Sequence, residues 1–401
     1  MKCQIEKLSV IKVVFFILAF GVSCIDPFNP AVDKSQYLLV VDALVTDQEE
    51  SYYCSLTRSF KENEETPETV TGATVYVTDN NGGSFIFSEI SPGIYRSDSL
   101  LFRGVVGRAY TLHIVSNDGE EYASDPVTMI DVPEIDSLYF GKDMLMTDDG
   151  LLHEGIQLYF DSKKPVDGKY MRWSYEEYWK FNVPYPPYYE YFNQDSVVNI
   201  PPKNRTCWKH NNSDEIIIAD KDADVSEAFV KRPLTFIASD LSDRITVRYH
   251  IKVRQYSLSE DEYRFWDLLK QINEAGGDLF NRQPFQILSN VHNTKRNEDQ
   301  VLGYFKVSAV EDASMYVDLS DLEELDLPRY DYDCDIFTVE PPLGFTMDEL
   351  YNYYTELLGY VFVVPEFNDF MQVIGLMLST PRCADCRTTG NPLKPDFWVD
   401  E

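Results

Sequence analysis

Between Tyr37 and about Pro133, short runs of alternating apolar and polar residues are each cut off by a turn-forming cluster, and this punctuation sharply limits what the chain can fold into. The runs are Leu38 to Val45, Ser51 to Phe60, Ala73 to Thr78, Ser84 to Ser88 and Tyr110 to Val115. Between them stand Asn80-Asn81-Gly82-Gly83, Pro92-Gly93 and Asn117-Asp118-Gly119, which supply the positive backbone angles of tight turns. A period of two buries one face of each run, and evenly spaced runs this short pack as an antiparallel β-sandwich.

A larger β-rich region follows, with strands predicted near Leu138 to Phe140, Gly155 to Phe160, Tyr170 to Phe181, Glu215 to Ala219 and Ile245 to Tyr256. Two helices interrupt it, near 260–275 and 347–358. For the first, Ser259 and Glu262 form a capping box, Leu258 staples onto Tyr263, and Gly276-Gly277 closes the far end. Tyr263, Trp266, Leu269 and Ile272 then share the side that faces a sheet. Thr346 and Glu349 cap the second helix, which stops at Gly359 and buries Leu350, Tyr354 and Leu357. A chain of 401 residues exceeds one ordinary core. The expected fold is therefore mainly β, with a sandwich over 37–134 and a β-rich domain with helical insertions over 135–401.

The first two dozen residues fix the compartment. Lys2, Lys7 and Lys12 precede or enter an apolar stretch, Val13 to Phe20, and Gly21-Val22-Ser23 lead into Cys24. The apolar core is about ten residues where a spanning helix needs roughly 20, so 1–23 reads as a cleaved signal peptide. Cys24 then becomes the lipidated first residue, with 24–36 as a tether; a triacylated cysteine suffices for stable anchoring. The residue after it is Ile25 and not aspartate, which favours the outer membrane, and Asp26 hints at the cell surface.

The formal charge is −32, and removing residues 1–23, with three lysines and one glutamate, makes it about −34. Such a surface repels nucleic acid and anionic lipid. Once Cys3 is lost and Cys24 is acylated, Cys54, Cys207, Cys334, Cys383 and Cys386 remain, an odd number that leaves at least one thiol unpaired. A structural disulfide from Cys207 to Cys383 or Cys386 would tie the tail, with Phe397-Trp398, back to the second domain. Cys207-x-x-His210 with Cys383-x-x-Cys386 has the composition of a structural zinc site, but an oxidising compartment favours the disulfide.

Two Asp-x-Asp-x-Asp runs, Asp220-Asp222-Asp224 and Asp331-Asp333-Asp335, fail the calcium-loop pattern. Val225 and Ile336 stand where glycine must turn the loop, and Lys231 and Pro342 stand where glutamate closes it. No metal or cofactor is expected. His113, His153, His210, His250 and His292 are scattered, and no hydrolase, zinc-protease or phosphate-loop motif occurs. The best ligand candidate is aromatic. Alternation puts Trp173, Tyr175, Trp179 and Phe181 on one core-facing side of a strand, and the following Pro184-Tyr185-Pro186-Pro187-Tyr188-Tyr189-Glu190-Tyr191 is stiffened by prolines that block ladder bonding. Tyr185, Tyr188, Tyr189 and Tyr191 are accordingly expected to project as a binding surface.

Gly72-Ala73-Thr74-Val75-Tyr76-Val77, Gly93-Ile94-Tyr95 and Tyr110-Thr111-Leu112 resemble the immunoglobulin-like or transthyretin-like domains of secreted bacterial proteins. Across nearly the whole chain, several segments in order resemble a Bacteroidota outer-membrane lipoprotein family, domain of unknown function 4249. They are Cys24-Ile25-Asp26-Pro27-Phe28, the Trp173 to Trp179 strand with its Tyr-Pro loop, Cys207-Trp208, Val301-Leu302-Gly303-Tyr304-Phe305, Cys383-Ala384-Asp385-Cys386-Arg387 and Lys394-Pro395-Asp396-Phe397-Trp398. Tyr330 to Phe370 departs from the family pattern. The resemblance implies a lipoprotein associated with TonB-dependent outer-membrane transporters and brings no agreed activity. The expectation is a non-enzymatic outer-membrane lipoprotein, exposed at the cell surface, that partners such a transporter and helps capture a ligand not named by the sequence. A structural or adhesive surface lipoprotein and a secreted hydrolase with an unrecognised site are the alternatives.

Overall fold

A computed structural model of the chain describes residues 38–59, 66–193, 196–222, 228–274, 289–296 and 299–400. The signal peptide, Cys24, the tether, Asp224 and Gly276-Gly277 lie outside the described residues. The chain is mainly β: of the described residues, 49% are in strands and 13% in helices.

Each strand expected before Pro133 forms, and all of them join one sheet curled around a single core. From edge to edge the order is Val291–Asn293, Glu121–Ser124, Ala109–Val115, Thr74–Asp79, Ser84–Ser91, Ile94–Ser97, Tyr53–Arg58, Leu39–Thr46 and Val301–Ser308, with Val127–Thr128 added against Ala109–Val115. The pattern of Ala109–Val115 shows why it curls: Tyr110, Leu112 and Ile114 are buried while the residues between them are half-buried, so one face is fully apolar. The boundary expected at residue 134 does not close this unit, because its two edge strands come from 291–308. Asn290 joins those edges: its amide nitrogen donates to the Phe305 carbonyl and its amide oxygen accepts from Phe305 N–H, both at 2.9 Å. A buried side chain thus supplies the ladder bonds that a sheet edge would otherwise leave unmade.

One pairing departs from the antiparallel expectation. Leu39–Thr46 and Val301–Ser308 run parallel, with Val41 opposite Gly303. Gly303 has φ +82°, and a Cβ there would sit 2.0 Å from the Val41 carbonyl oxygen. Only glycine tolerates both the angle and the approach. Gly303→Ala is expected to cost about 2 kcal/mol, from backbone strain plus displacement of the paired strand. A thermal unfolding midpoint within a degree of wild type would refute this account of the site.

The second core lies under two further sheets. Ala228–Ala238, Leu152–Lys163 and Ile135–Met146 form one; Thr206–Asn212, Tyr170–Asn182, Arg248–Leu258 and Val310–Asp318 form the other, with Ile217–Asp220 also paired to Tyr170–Asn182. Trp173, Tyr175, Trp179 and Phe181 all face this core, as alternation requires. Glu177 shares their face. Its carboxylate is satisfied by the Tyr249 hydroxyl at 2.6 Å, the Asn211 amide at 3.3 Å and Arg244 at 3.5 Å, so a buried charge is tolerated because it is bonded.

The first helix is Glu260–Glu274. Ser259 Oγ accepts from Glu262 N–H at 3.1 Å, but the Glu262 side chain turns into the protein instead of returning to the cap. Tyr263 and Trp266 pack as expected, joined by buried Phe265, whereas Ile272 is 44% exposed because the last helical residues extend past the sheet. The second helix, Met347–Asn352, has the full Thr346/Glu349 capping box. It continues as a π-helical turn, Tyr353–Leu357, in which Leu358 N–H bonds the Tyr353 carbonyl. The wider turn shifts the stripe. Leu350 is buried and Tyr354 half-buried, but Leu357 is 71% exposed, against the expected stripe.

Candidate functional site

The four expected ligand tyrosines do not project as a group. Tyr185 N–H bonds the Cys383 carbonyl, Tyr188 N–H bonds the Val363 carbonyl, and Tyr189–Asn193 pairs with Ser196–Asn199 in a hairpin. Tyr191 is 9% exposed, stacks on Tyr351 at 4.4 Å between ring centres and donates to Asp348, and Tyr189 packs against the same small core beneath the Val361–Phe367, Val373–Ser379 and Ile336–Val339 sheet. Tyr185 is half-buried, and Tyr188, at 39% exposed, alone faces solvent. The prolines do remove ladder donors, but the loop recovers its bonds from the C-terminal sheet, which the sequence pattern gave no reason to expect.

Cysteine chemistry is settled by two bridges. Cys207 joins Cys386, one of the two pairings left open, and Cys334 joins Cys383, a pairing the sequence reading did not propose. All three thiols of the alternative zinc set are consumed, and His210 packs on Tyr178. Cys54 is the free thiol among the described residues; burial pushes it well above the usual value, leaving it unreactive. The first bridge holds the tail as expected: Trp208 and Asn391 exchange two backbone bonds, and buried Trp398 packs edge-on against Trp208 and Tyr316.

The histidines are all engaged structurally. His153 is clamped between Asp240 at 2.8 Å and Asp149 at 2.9 Å, which raises its pKa; Asp149 is held at about 2 chiefly by the Thr147 hydroxyl at 2.7 Å and the Leu151 N–H at 2.9 Å, with His153 adding to them. With both nitrogens taken, it has none left to act as a base. Burial lowers His250 to about 4, next to Lys252 and Arg248. His113 stacks on Tyr76, and His292 meets Asp125 at the surface. Among the described residues no group of three or more His, Cys, Asp or Glu side chains could hold a metal ion.

The feature best suited to hold a ligand is a cavity of about 490 Å³ at one end of the second core, within the range of small-molecule sites. Its floor is apolar: Ile245 and Leu322 are buried and Leu327 is half-buried. One wall is the turn Asp243–Ile245, fixed by Ser242 Oγ accepting from Arg244 N–H and by Thr246 Oγ1 donating to the Asp243 carbonyl at 2.8 Å. Asp243 is itself tied down, accepting from Trp179 Nε1 at 2.9 Å and Lys209 Nζ at 2.6 Å.

The opposite wall is the short helix Leu319–Leu325 and the irregular strap that follows it, 326–335. Irregular backbone keeps a shape only if it is pinned, and this strap is pinned at both ends. Lys142 Nζ donates to the carbonyls of Leu325 and Asp326 at 3.0 and 3.3 Å. At the other end Arg382 donates to the carbonyls of Tyr332 and Asp333 at 2.6 and 2.9 Å, beside the Cys334–Cys383 bridge. Between the ends, Tyr330 and Tyr332 meet edge to face at 4.8 Å, with Tyr332 Oη 3.5 Å from Thr246 Oγ1. Burial raises both phenols, so they stay protonated donors. At the rim Glu323, Asp326 and Arg329 are exposed, and none of the three makes an ion pair among the described residues.

None of these cavity residues was named as a site residue from sequence. The available signal was Pro328-Arg329-Tyr330-Asp331-Tyr332, an arginine and two aromatics in a proline-started segment without period. The expected tyrosine loop is linked to the cavity through Cys383, which bonds Tyr185 by its backbone and the strap by its sulfur.

Fold and cavity define a disulfide-stapled, β-rich protein with an open recess of about 490 Å³ at one end of its second core. The chain belongs to the family described as Domain of unknown function (DUF4249), whose model matches residues 25–314. No curated protein matches it. The family match covers the 239–246 side of the cavity and stops before the strap.

Proposed function

We propose that this protein is a non-enzymatic, lipid-anchored outer-membrane protein, exposed at the cell surface, that captures a small ligand in the 490 Å³ cavity for a partner TonB-dependent transporter. The observation that carries the ligand-capture reading is the strap: a ten-residue irregular segment held at both ends so that it leaves an open, mixed-polarity recess instead of collapsing onto the core beneath. The anchor reading rests on the signal-like start and Cys24, and is supported by two disulfides, which persist in oxidising compartments. The transporter link rests on the family resemblance. Against an enzyme stand the clamped or buried histidines and the bonded buried Glu177.

The test is a pull-down of the tagged, lipidated protein from its native membrane in mild detergent, with mass spectrometry of what stays attached. A stoichiometric TonB-dependent barrel is the expected companion. Recovery of the protein alone refutes the partnership and favours a free-standing adhesive or structural lipoprotein.

A further inference from the structure

Arg329 makes no ion pair among the described residues, a condition it shares with Arg96, Arg103, Arg172, Arg205 and Arg232, but it alone of these stands at the rim of the cavity with the pinned wall. Glu323 and Asp326 stand at the same rim, and they too make no ion pair among the described residues. Charges of both signs are therefore presented to the same small volume, above an apolar floor of Ile245 and Leu322 and beside two phenols. The protein's overall negative field disfavours a purely anionic ligand, which Arg329 alone would have to hold. A neutral ligand makes no use of the separated charges. A molecule carrying an ammonium, a carboxylate and an apolar body uses every wall.

From this we infer that the cavity binds a zwitterionic ligand of the amino-acid or short-peptide class. Its carboxylate takes the Arg329 guanidinium, whose planar fork suits bidentate pairing. Its ammonium takes Glu323 and Asp326, its apolar side chain lies on Ile245 and Leu322, and Tyr330 Oη is free to donate to a peptide carbonyl. A volume of about 490 Å³ accommodates a dipeptide with room for bridging water. The inference rests on the ligand-capture reading above and adds the ligand's class.

The test is isothermal titration of the full-length lipidated protein in detergent micelles with leucyl-leucine, with its doubly blocked analogue N-acetyl-leucyl-leucine amide, and with maltose. Wild type is compared with Arg329→Gln and Arg329→Lys; Arg329 is exposed, so an unchanged thermal midpoint is expected and confirms folding. The expected result is saturable binding of leucyl-leucine, weakened at least about tenfold by Arg329→Gln, partly restored by Arg329→Lys, and at least about tenfold weaker for the blocked analogue. Equal binding of the blocked analogue, indifference to Arg329→Gln, or no binding of leucyl-leucine overturns the inference. If maltose binds instead and Arg329→Gln weakens it, the ligand class is wrong while ligand capture stands. The transporter partnership is decided separately by the pull-down.

Discussion

Replacing Cys207 and Cys386 together by alanine is expected to lower unfolding stability by about 5 kcal/mol. The two cysteines are 179 residues apart. Because the Cys334–Cys383 bridge spans 49 of those residues, the loop that Cys207–Cys386 closes shortens to roughly 130, and the entropy of closing a loop falls only logarithmically with its length. Both half-cystines are fully buried, so the double variant also loses packing at the second core. The strand pairing of Trp208 with Asn391 and the seat of Trp398 depend on the tail staying down. The measurement is urea unfolding of the double variant against wild type, with limited proteolysis of residues 387–400. A loss below about 1 kcal/mol with an intact tail would mean that packing alone holds the tail and the bridge is incidental.

What the sequence disclosed was periodic, and what it concealed depended on distant segments. The alternation Trp173, Tyr175, Trp179, Phe181 could mean only a buried strand face, and the turn clusters after Thr78 and Val115 could mean only hairpins. Thr346 and Glu349 are three residues apart, so their capping box was legible. By contrast, the parallel return of Val301–Ser308 beside Leu39–Thr46 leaves no local trace except a glycine, and Gly303 gains its meaning only against the Val41 carbonyl. The cavity was hidden for the same reason. Its floor comes from Ile245, its roof from Tyr332, and its pins from Lys142 and Arg382, four segments that no period connects.

The tyrosine loop shows how a sound local argument can reach the wrong exposure. Pro184, Pro186 and Pro187 do deprive the segment of donors, but Tyr185 and Tyr188 N–H groups find carbonyls at Cys383 and Val363, almost two hundred residues on. A backbone satisfied by tertiary contacts carries its side chains inward, and Tyr191 ends in a core where its hydroxyl is matched by Asp348. The segment is stiff, but Tyr189 and Tyr191 pack inward instead of projecting. The aromatic pair that does line a recess, Tyr330 and Tyr332, lies in a stretch without period or prolines at every other position.

Glu262→Gln is expected to make the protein more stable at pH 8 by as much as about 3 kcal/mol while changing little at pH 5. Glu262 is 1% exposed, its Oε1 accepts from Trp266 Nε1 at 3.2 Å, and its Oε2 has no hydrogen-bond partner among the described residues. Burial raises its pKa from 4.5 to about 7, against the pull of Arg172 and Lys306, which favour the charged form. In the unfolded chain the carboxyl ionises near 4.5; in the folded protein it keeps its proton until about pH 7. Folded-state stability is therefore greatest below pH 4.5 as far as this group is concerned, falls as pH rises from 4.5 to 7, and levels off above. Glutamine imitates the protonated acid and removes that slope. The helix loses little, since Glu260 and Asp261 remain in its first turn to favour the dipole and Ser259 still caps it. Urea unfolding of both proteins at pH 5, 6, 7 and 8 gives the comparison. Parallel stability profiles across that range would show that Glu262 is ionised in the folded state, with Arg172 and Lys306 outweighing its burial.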